Sequence, residues 1–519
     1  MFLGIIKLIN KIRHCQIMLK KCGGIVLFLI FFLVLGSRFY FAFSTPYFSS
    51  DKAYFNLRQI ENIKQKGFPL FNDDLSYSGN TFIFSPVFHY SIAFFALFMP
   101  AKTAAKVIPN IFSACVVFFI FLIVNKITKN QNIALFLAFV SGFVPVFFSD
   151  LNNISVYSLI FPLIFLLIFL FLNIRKKYYF YSFILVLVLL SFISPFVLVF
   201  CAGLLLYQLL LILGDLKRDG AEIEISLFSV FFALWVQFLL YKKLFLFHGL
   251  SVIWQNIPNT LFSNYFSSIN ALEAIYMVGV VPLIYGIFII FRYLFKQQRK
   301  DIYLLMSFAL LTGILLWFRL IVFKIGLMFA GLLLILLFSQ HFKLFIHYVR
   351  QTRASRFLYF FIVFIGLAFV VSSVIPSIAL AKKTANNYIS EEEINALSWI
   401  NEKTPSDSVV VASVYEGNII SYFAKRKNIF DSYFFMRNDV EERLKDVRKI
   451  FTSSLEIEAV ELMNKYEADY IYFSRKSMNE FDVCFLKYVS SGSCFEKIYG
   501  NNLVSIYHKQ ESCRLKVVG

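Results

Sequence analysis

The sequence predicts a polytopic all-α transmembrane bundle of about 11 spans with a small C-terminal extracytoplasmic α/β domain. Three observations carry that prediction. Of 519 residues, 59% are hydrophobic and 67 are Phe, more apolar side chain than one aqueous core absorbs. Several apolar runs are long enough to cross about 30 Å of hydrocarbon. The formal charge of +19 is gathered in short clusters between those runs. This is the positive-inside pattern, and it sets nucleic acid aside as a partner.

The chain opens with Lys7, Lys11, Arg13, Lys20 and Lys21, followed by an apolar run from Ile25 to Phe43. A cleaved signal peptide has a shorter core and a small-residue cleavage site, whereas Tyr40, Phe41 and Phe43 crowd the end of this one. It reads as a retained anchor with a cytoplasmic N-terminus. Further candidate spans cover 107–124, 133–149, 156–172, 179–194, 195–213, 225–241, 274–291, 302–318, 320–338 and 357–378.

Basic segments at 125–132, 173–178, 215–220, 292–300 and 341–356 belong on the cytoplasmic side. Their parity leaves the apolar piece 84–100 at the outer surface. It also splits 179–213 into two spans near Ser194-Pro195 and places the C-terminal domain outside. The expected organisation is a membrane domain over 1–385, with a first external loop at 44–83, and a soluble domain over 386–519.

That soluble domain starts with a capped helix: Ser390 stands three residues before Glu393, and Ile394, Leu397 and Ile400 share a face. Strands are expected at Ser408–Ala412, Tyr470–Phe473 and Leu503–Tyr507. Helical character falls at Asn418–Phe423, Asp439–Ile450 and Leu455–Tyr466, giving an alternating α/β pattern. Cys484 and Cys494 are the one close cysteine pair there, and both a bridge and two free thiols fit the spacing. Neither the spacing nor a nearby His points to zinc.

Ionisable groups at the outer face of such a bundle are functional suspects. Asp51 stands just beyond the anchor, followed by Arg58, Asp73 and Asp74, and Asp150 is the sole acid of the second loop. Each taken singly reads equally as a solvated cap. Two acids from separate loops at one boundary suit a divalent cation, Mn2+ or Mg2+, that neutralises a lipid-linked phosphate. Arg319 lies in a turn between two apolar runs with Lys324 close behind. It reads either as an interfacial snorkelling residue or as a fork for phosphate oxygens.

The stretch Ser50-Asp51-Lys52-Ala53-Tyr54-Phe55-Asn56-Leu57-Arg58, with Gly67-Phe68-Pro69, Asn72 to Gly79 and Ser85-Pro86-Val87-Phe88-His89, resembles the first external loop of C-type glycosyltransferases. Within that superfamily it is most like the catalytic subunit of oligosaccharyltransferase of archaeal and bacterial type. The resemblance implies a polyprenyl-linked sugar donor in a cell membrane and an active site at the outer face. It implies metal-binding and acceptor-activating roles for Asp51 and Asp150, with Arg58 beside the first acid and Asn152 after the second.

Trp317-Phe318-Arg319-Leu320 is similar to the family's lipid-phosphate contact. The loop of Trp254, Pro258 and Glu273 falls where a substrate-covering loop carries a glutamate. Ala396 to Pro405 and Val410 to Asn418 resemble the approach to the family's Trp-Trp-Asp-Tyr-Gly signature, so Tyr415 and Glu416 are implied substrate contacts.

Three departures stand out. Ser413-Val414-Tyr415-Glu416-Gly417 lacks both tryptophans that receive a peptide acceptor, the second loop has Asn152 and Asn153 in place of a second acid, and Glu273 lacks its expected context. The expected activity is therefore transfer of a sugar or oligosaccharide from a polyprenyl-phosphate or pyrophosphate donor, with protein and glycan acceptors both open. The alternatives are a polyprenyl-phosphate monosaccharide transferase with a non-peptide acceptor and a lipid-linked sugar transporter or flippase. Against a transporter, the sequence has no repeat and its polar suspects lie at one face rather than at mid-membrane.

Overall fold

The structure is a computed structural model that describes residues 2–249, 252, 257, 270–433, 436–489 and 493–513; Trp254 and Pro258 fall outside them. The chain divides into two units. The first comprises Met1–Ser44, Lys106–Leu240 and Phe266–Asn386, and the second Thr45–Ala105, Tyr241–Tyr265 and Asn387–Gly519.

The all-α bundle is present, but the expected count of about 11 spans is not. Among the described residues, 6 helices are long and apolar enough to cross a membrane, or up to 8 if each bent pair is one span. The six are Gly23–Phe43, Ala101–Thr128, Gly220–His248, Lys300–Trp317, Phe323–Gln351 and Arg353–Lys403.

Two physical effects remove the rest. The predicted spans 156–172, 179–194 and 195–213 form helices Tyr157–Phe171, Lys177–Ile193 and Val197–Leu213, of 15, 17 and 17 residues. At about 1.5 Å per residue these fall short of a hydrocarbon core of about 30 Å. The predicted spans 133–149 and 274–291 are instead bent pairs. Gln131–Gly142 meets Pro145–Asn152 at 54°, and Ala271–Val278 meets Val280–Phe295 at 95°. The first break falls before Pro145, which removes a donor; the second falls at Gly279, whose φ of 97° lies in the left-handed region that glycine tolerates. The ambiguous stretch 84–100 forms only the short apolar helix Val87–Ala96.

Helix Phe323–Gln351 is the centre of the first unit. Its apolar residues Leu327 to Phe338 are almost continuously buried, as expected of a helix apolar on all sides and surrounded by others.

The second unit is built on a five-stranded sheet. Its strands are β3 (Val409–Val411), β4 (Lys427–Asn428), β5 (Ala468–Ser474), β6 (Phe495–Gly500) and β7 (Val504–Lys509), after a two-strand hairpin β1 (Asn72–Asp73) and β2 (Asn80–Thr81). The order is β4-β3-β5-β7-β6, with β3 parallel to both neighbours and β7 antiparallel to both of its own. All three valines of β3 are buried, the mark of a strand covered on both faces.

The capping box forms as the sequence predicts: Ser390 Oγ accepts from the Glu393 N–H and the Glu393 side chain accepts from the Ser390 N–H. Strand β6, helix Arg475–Phe481 and helix Asp51–Lys66 were not anticipated. The last is amphipathic, burying Tyr54, Phe55, Leu57 and Ile60. The cysteine pairing also differs. Cys494 bonds to Cys513 with sulfurs 1.99 Å apart, while Cys484 is free and exposed.

Candidate active site

In the second unit the site starts from the entry to helix Asp51–Lys66. Ser50 is extended and its hydroxyl accepts from the Ala53 N–H, so the helix begins sharply at Asp51. Asp51 is 7% exposed. Its Oδ2 accepts from Asn418 Nδ2 at 2.6 Å and its Oδ1 from the Ile419 N–H at 3.0 Å. Burial pushes the carboxyl above the usual range despite these donors. The turn it holds, Glu416 to Ile419, is the one that carries the implied substrate contacts.

Tyr415 is half-buried there. Glu416 is buried, accepts from Ser474 Oγ at 2.6 Å, and is pushed up to about 7 by burial. Its other oxygen, Oε2, has no partner among the described residues. Asp431 is likewise raised to about 7 by burial. Ser413, where the family signature has its first tryptophan, gives its hydroxyl to Glu480.

Arg58 grips Asp73, not Asp51, with a two-pronged fork, at 2.9 and 2.7 Å. The hairpin fixed in this way pairs onto the sheet edge. The Tyr77 N–H donates to Asn428 O, and the Asn428 N–H donates to Leu75 O. Arg437 and Arg443 complete the lock by donating to Ser76 Oγ and Ser78 Oγ, each at distances under 3 Å. A polar pocket of about 550 Å³ lies here, lined by Asn72 to Asp74, Ser78 to Thr81 and Met436 to Asp439 with Arg443.

In the first unit, Asp150 lies in a tight 3-10 turn, Ser149–Asn152, that ends the second segment of the 54° helix pair. Lys324 Nζ donates to its Oδ1 at 2.8 Å and Asn153 Nδ2 to the same oxygen at 2.9 Å. Asn152 is fully buried beside it.

Behind this turn stands Arg38, 1% exposed within the first span. Its Nε donates to Asn110 Oδ1 at 2.9 Å and its Nη1 reaches Phe147 O at 3.5 Å. Asn110 Nδ2 in turn donates to Leu151 O at 2.8 Å. A second buried cation, Lys106, donates to Ala42 O at 2.7 Å. The signal for Arg38 was its position inside an apolar run, since an ionisable group there is kept only for a reason. Arg319 occupies the predicted turn with φ 55° and its side chain is exposed. Glu273 stands in the first turn of Ala271–Val278, also exposed.

A divalent cation needs ligands with lone pairs to give. Asp51 is buried with an N–H donor turned to each oxygen, and Asp150 Oδ1 faces an ammonium and a carboxamide N–H, so each acid is surrounded by donors rather than by further ligands. Among the described residues no three of His, Cys, Asp and Glu gather in one place. The donors present do not fit the cation.

No protein-family model matches the chain and no curated protein matches it. Solved structures do. An archaeal oligosaccharyltransferase from Archaeoglobus fulgidus, solved with an inhibitory peptide and a dolichol-phosphate, aligns with TM-score 0.63 at 14% identity, over 86% of this chain and 70% of that one. The same organism's oligosaccharyltransferase in complex with Zn and sulfate aligns with TM-score 0.59 at 14% identity, over 85% and 68%. ArnT from Cupriavidus metallidurans bound to undecaprenyl phosphate aligns with TM-score 0.50 at 10% identity, over 95% and 98%. The chain therefore shares its fold with these solved structures.

Proposed function

We propose that this chain is a membrane glycosyltransferase that moves a sugar or oligosaccharide from a polyprenyl-phosphate or pyrophosphate donor to an acceptor at the outer face of a cell membrane. The observation that carries the reading is the pairing of Asp150 with Lys324 at the C-terminal end of a bent membrane helix pair. It sits in a fold whose solved examples hold dolichol-phosphate and undecaprenyl phosphate.

In the reaction an acceptor O–H or N–H attacks the anomeric carbon, and the bond from that carbon to the phosphate oxygen breaks with its electron pair passing to phosphate. We assign Asp150 to receive the acceptor's proton. Lys324 and Arg319 meet the charge that grows on the leaving phosphate, and such electrostatic stabilisation is usually the largest catalytic contribution. We assign Glu273 to the donor side, and Asn152, fully buried, to support of the Asp150 turn. Within the second unit we assign acceptor recognition to the turn that carries Tyr415, which Glu416 supports from its buried position and Asp51 fixes, and Arg58 fixes the neighbouring hairpin through Asp73.

Of the two acceptor classes, a glycan or other non-peptide is favoured. Ser413 and Val414 replace the tryptophan pair, and the Ser413 hydroxyl is committed to Glu480. The Cys494–Cys513 bridge supports an extracytoplasmic C-terminal domain with the N-terminus in the cytoplasm.

The test is transfer of radiolabelled sugar from a polyprenyl-linked donor by the purified protein in lipid. We expect Asp150→Asn to reduce transfer at least about 100-fold with the protein still folded. Undiminished transfer by that variant would remove Asp150 from the reaction.

A further inference from the structure

We propose that Lys324 supplies at Asp150 the positive charge that the family resemblance would give to a divalent cation, and that the site works without a metal at this acid. The inference rests on the glycosyltransferase reading for its chemical meaning, but its geometry stands alone. Lys324 Nζ lies 2.8 Å from Asp150 Oδ1. An ammonium has three donors and no lone pair, so it cannot join a coordination shell and repels any cation that would form one. Asn153 Nδ2 points at the same oxygen, and it too is a donor.

Displacing Lys324 would not clear the site. Arg38 also acts on the charge of Asp150, and it is locked in place. Its guanidinium is buried, bonded to Asn110, and stacked over Phe147 and Phe148 with its carbon 5.3 and 5.6 Å from the two ring centres. One carboxylate is thus paired with one cation and lies in the field of a second. A divalent ion added to that set would bind against a net positive field rather than a negative one.

Lys324 is suited to the work on other grounds. Its side chain is 42% exposed while that of Asp150 is 15% exposed, so it has room to turn from the carboxylate to an arriving phosphate. That movement takes the ammonium off Asp150 Oδ1 and leaves the Asn153 amide on it, so this oxygen can receive a proton at the moment the phosphate docks. Arg38 has no such freedom and acts as a positioning residue. It reaches Phe147 O directly and Leu151 O through Asn110, so it holds the Asp150 turn from both sides.

The test uses the full-length protein in nanodiscs with Mn2+ as the probe. Mn2+ binding is read by electron paramagnetic resonance on wild type and Asp150→Asn. We expect identical titrations, because no Mn2+ is held by Asp150. A stoichiometric Mn2+ lost in Asp150→Asn would overturn the inference, and this arm decides whether or not any sugar is transferred.

In the transfer assay, EDTA-treated wild type should keep most of its rate. Lys324→Met should lose about 100-fold and Lys324→Arg should regain most of it. Transfer abolished by EDTA and restored by Mn2+ would sink the proposal, as would a Lys324→Met enzyme of wild-type rate. Absence of transfer in every preparation would count against the glycosyltransferase reading and leave the Mn2+ titration to judge Lys324.

Discussion

Asn418 donates a hydrogen bond of 2.6 Å to Asp51, a residue 367 positions earlier in the chain. With the Ile419 N–H on its other oxygen, this carboxylate ties the start of one helix to the turn where the implied acceptor contacts lie. Asp51→Ala leaves the buried Ile419 N–H without its acceptor and the Asn418 amide with only Ser432 Oγ at 3.5 Å, at a cost of about 2–4 kcal/mol. We expect a lower melting temperature together with loss of transfer. Loss of transfer with unchanged melting would mean that Asp51 acts on substrate directly rather than through this turn.

Glu416 gives a pH dependence with a definite sign. Burial raises its carboxyl from 4.5 to about 7, so the folded state binds the proton more tightly than the unfolded chain does. Its contribution to stability is complete below about pH 4.5 and is lost as pH rises through about 7. A difference of this size corresponds to about 3 kcal/mol. Glu416→Gln, which keeps the shape without the charge, should therefore be more stable than wild type at pH 8 and nearly equal to it at pH 4.5. Melting followed by tryptophan fluorescence at both pH values checks this; equal shifts at the two would show that Glu416 does not titrate in the fold.

The sequence made the soluble domain legible where its signals were local. Ser390 with Glu393 marks a helix start, and the valines of Ser408–Ala412 mark a buried strand, because caps and apolar runs are set by residues a few positions apart. Asp51 with Asn418 was not legible, since nothing near either residue announces a partner hundreds of positions away. Span counting failed for a related reason. Hydropathy measures how apolar a stretch is, but the break before Pro145 and the bend at Gly279 decide whether it runs straight. At Asp150 the acid was legible and its pairing with Lys324 was not. Lys324 sat in an apolar run beside the more conspicuous Arg319, and Arg38 lay inside the anchor.

The covalent bridge predicts a thiol pattern. Cys494 and Cys513 are joined and Cys484 is exposed, so a membrane-impermeant maleimide applied to intact cells should label Cys484 before reduction. Cys513→Ser should expose a second reactive thiol at Cys494 and destabilise the domain by about 3 kcal/mol, the value for closing a loop of this length. Labelling of Cys484 only after the membrane is permeabilised would place this domain in the cytoplasm and reverse the orientation proposed above.

Arg38 makes the sharpest claim about the membrane unit. Its guanidinium uses separate N–H groups for Asn110 Oδ1 and Phe147 O, and an ammonium on a more flexible stem cannot reproduce that fork. Arg38→Lys should therefore behave more like Arg38→Gln than like wild type. Both should lower the rate of transfer at saturating donor by about 10-fold to 100-fold, with a smaller change in donor KM, because the turn bearing Asp150 loses its register while Lys324 and Arg319 still meet the phosphate. Rate and KM measured separately on folded protein decide the matter. A Lys variant with wild-type kinetics would mean that Arg38 contributes only charge. An effect confined to KM would make it a donor contact and end its role in holding the Asp150 turn.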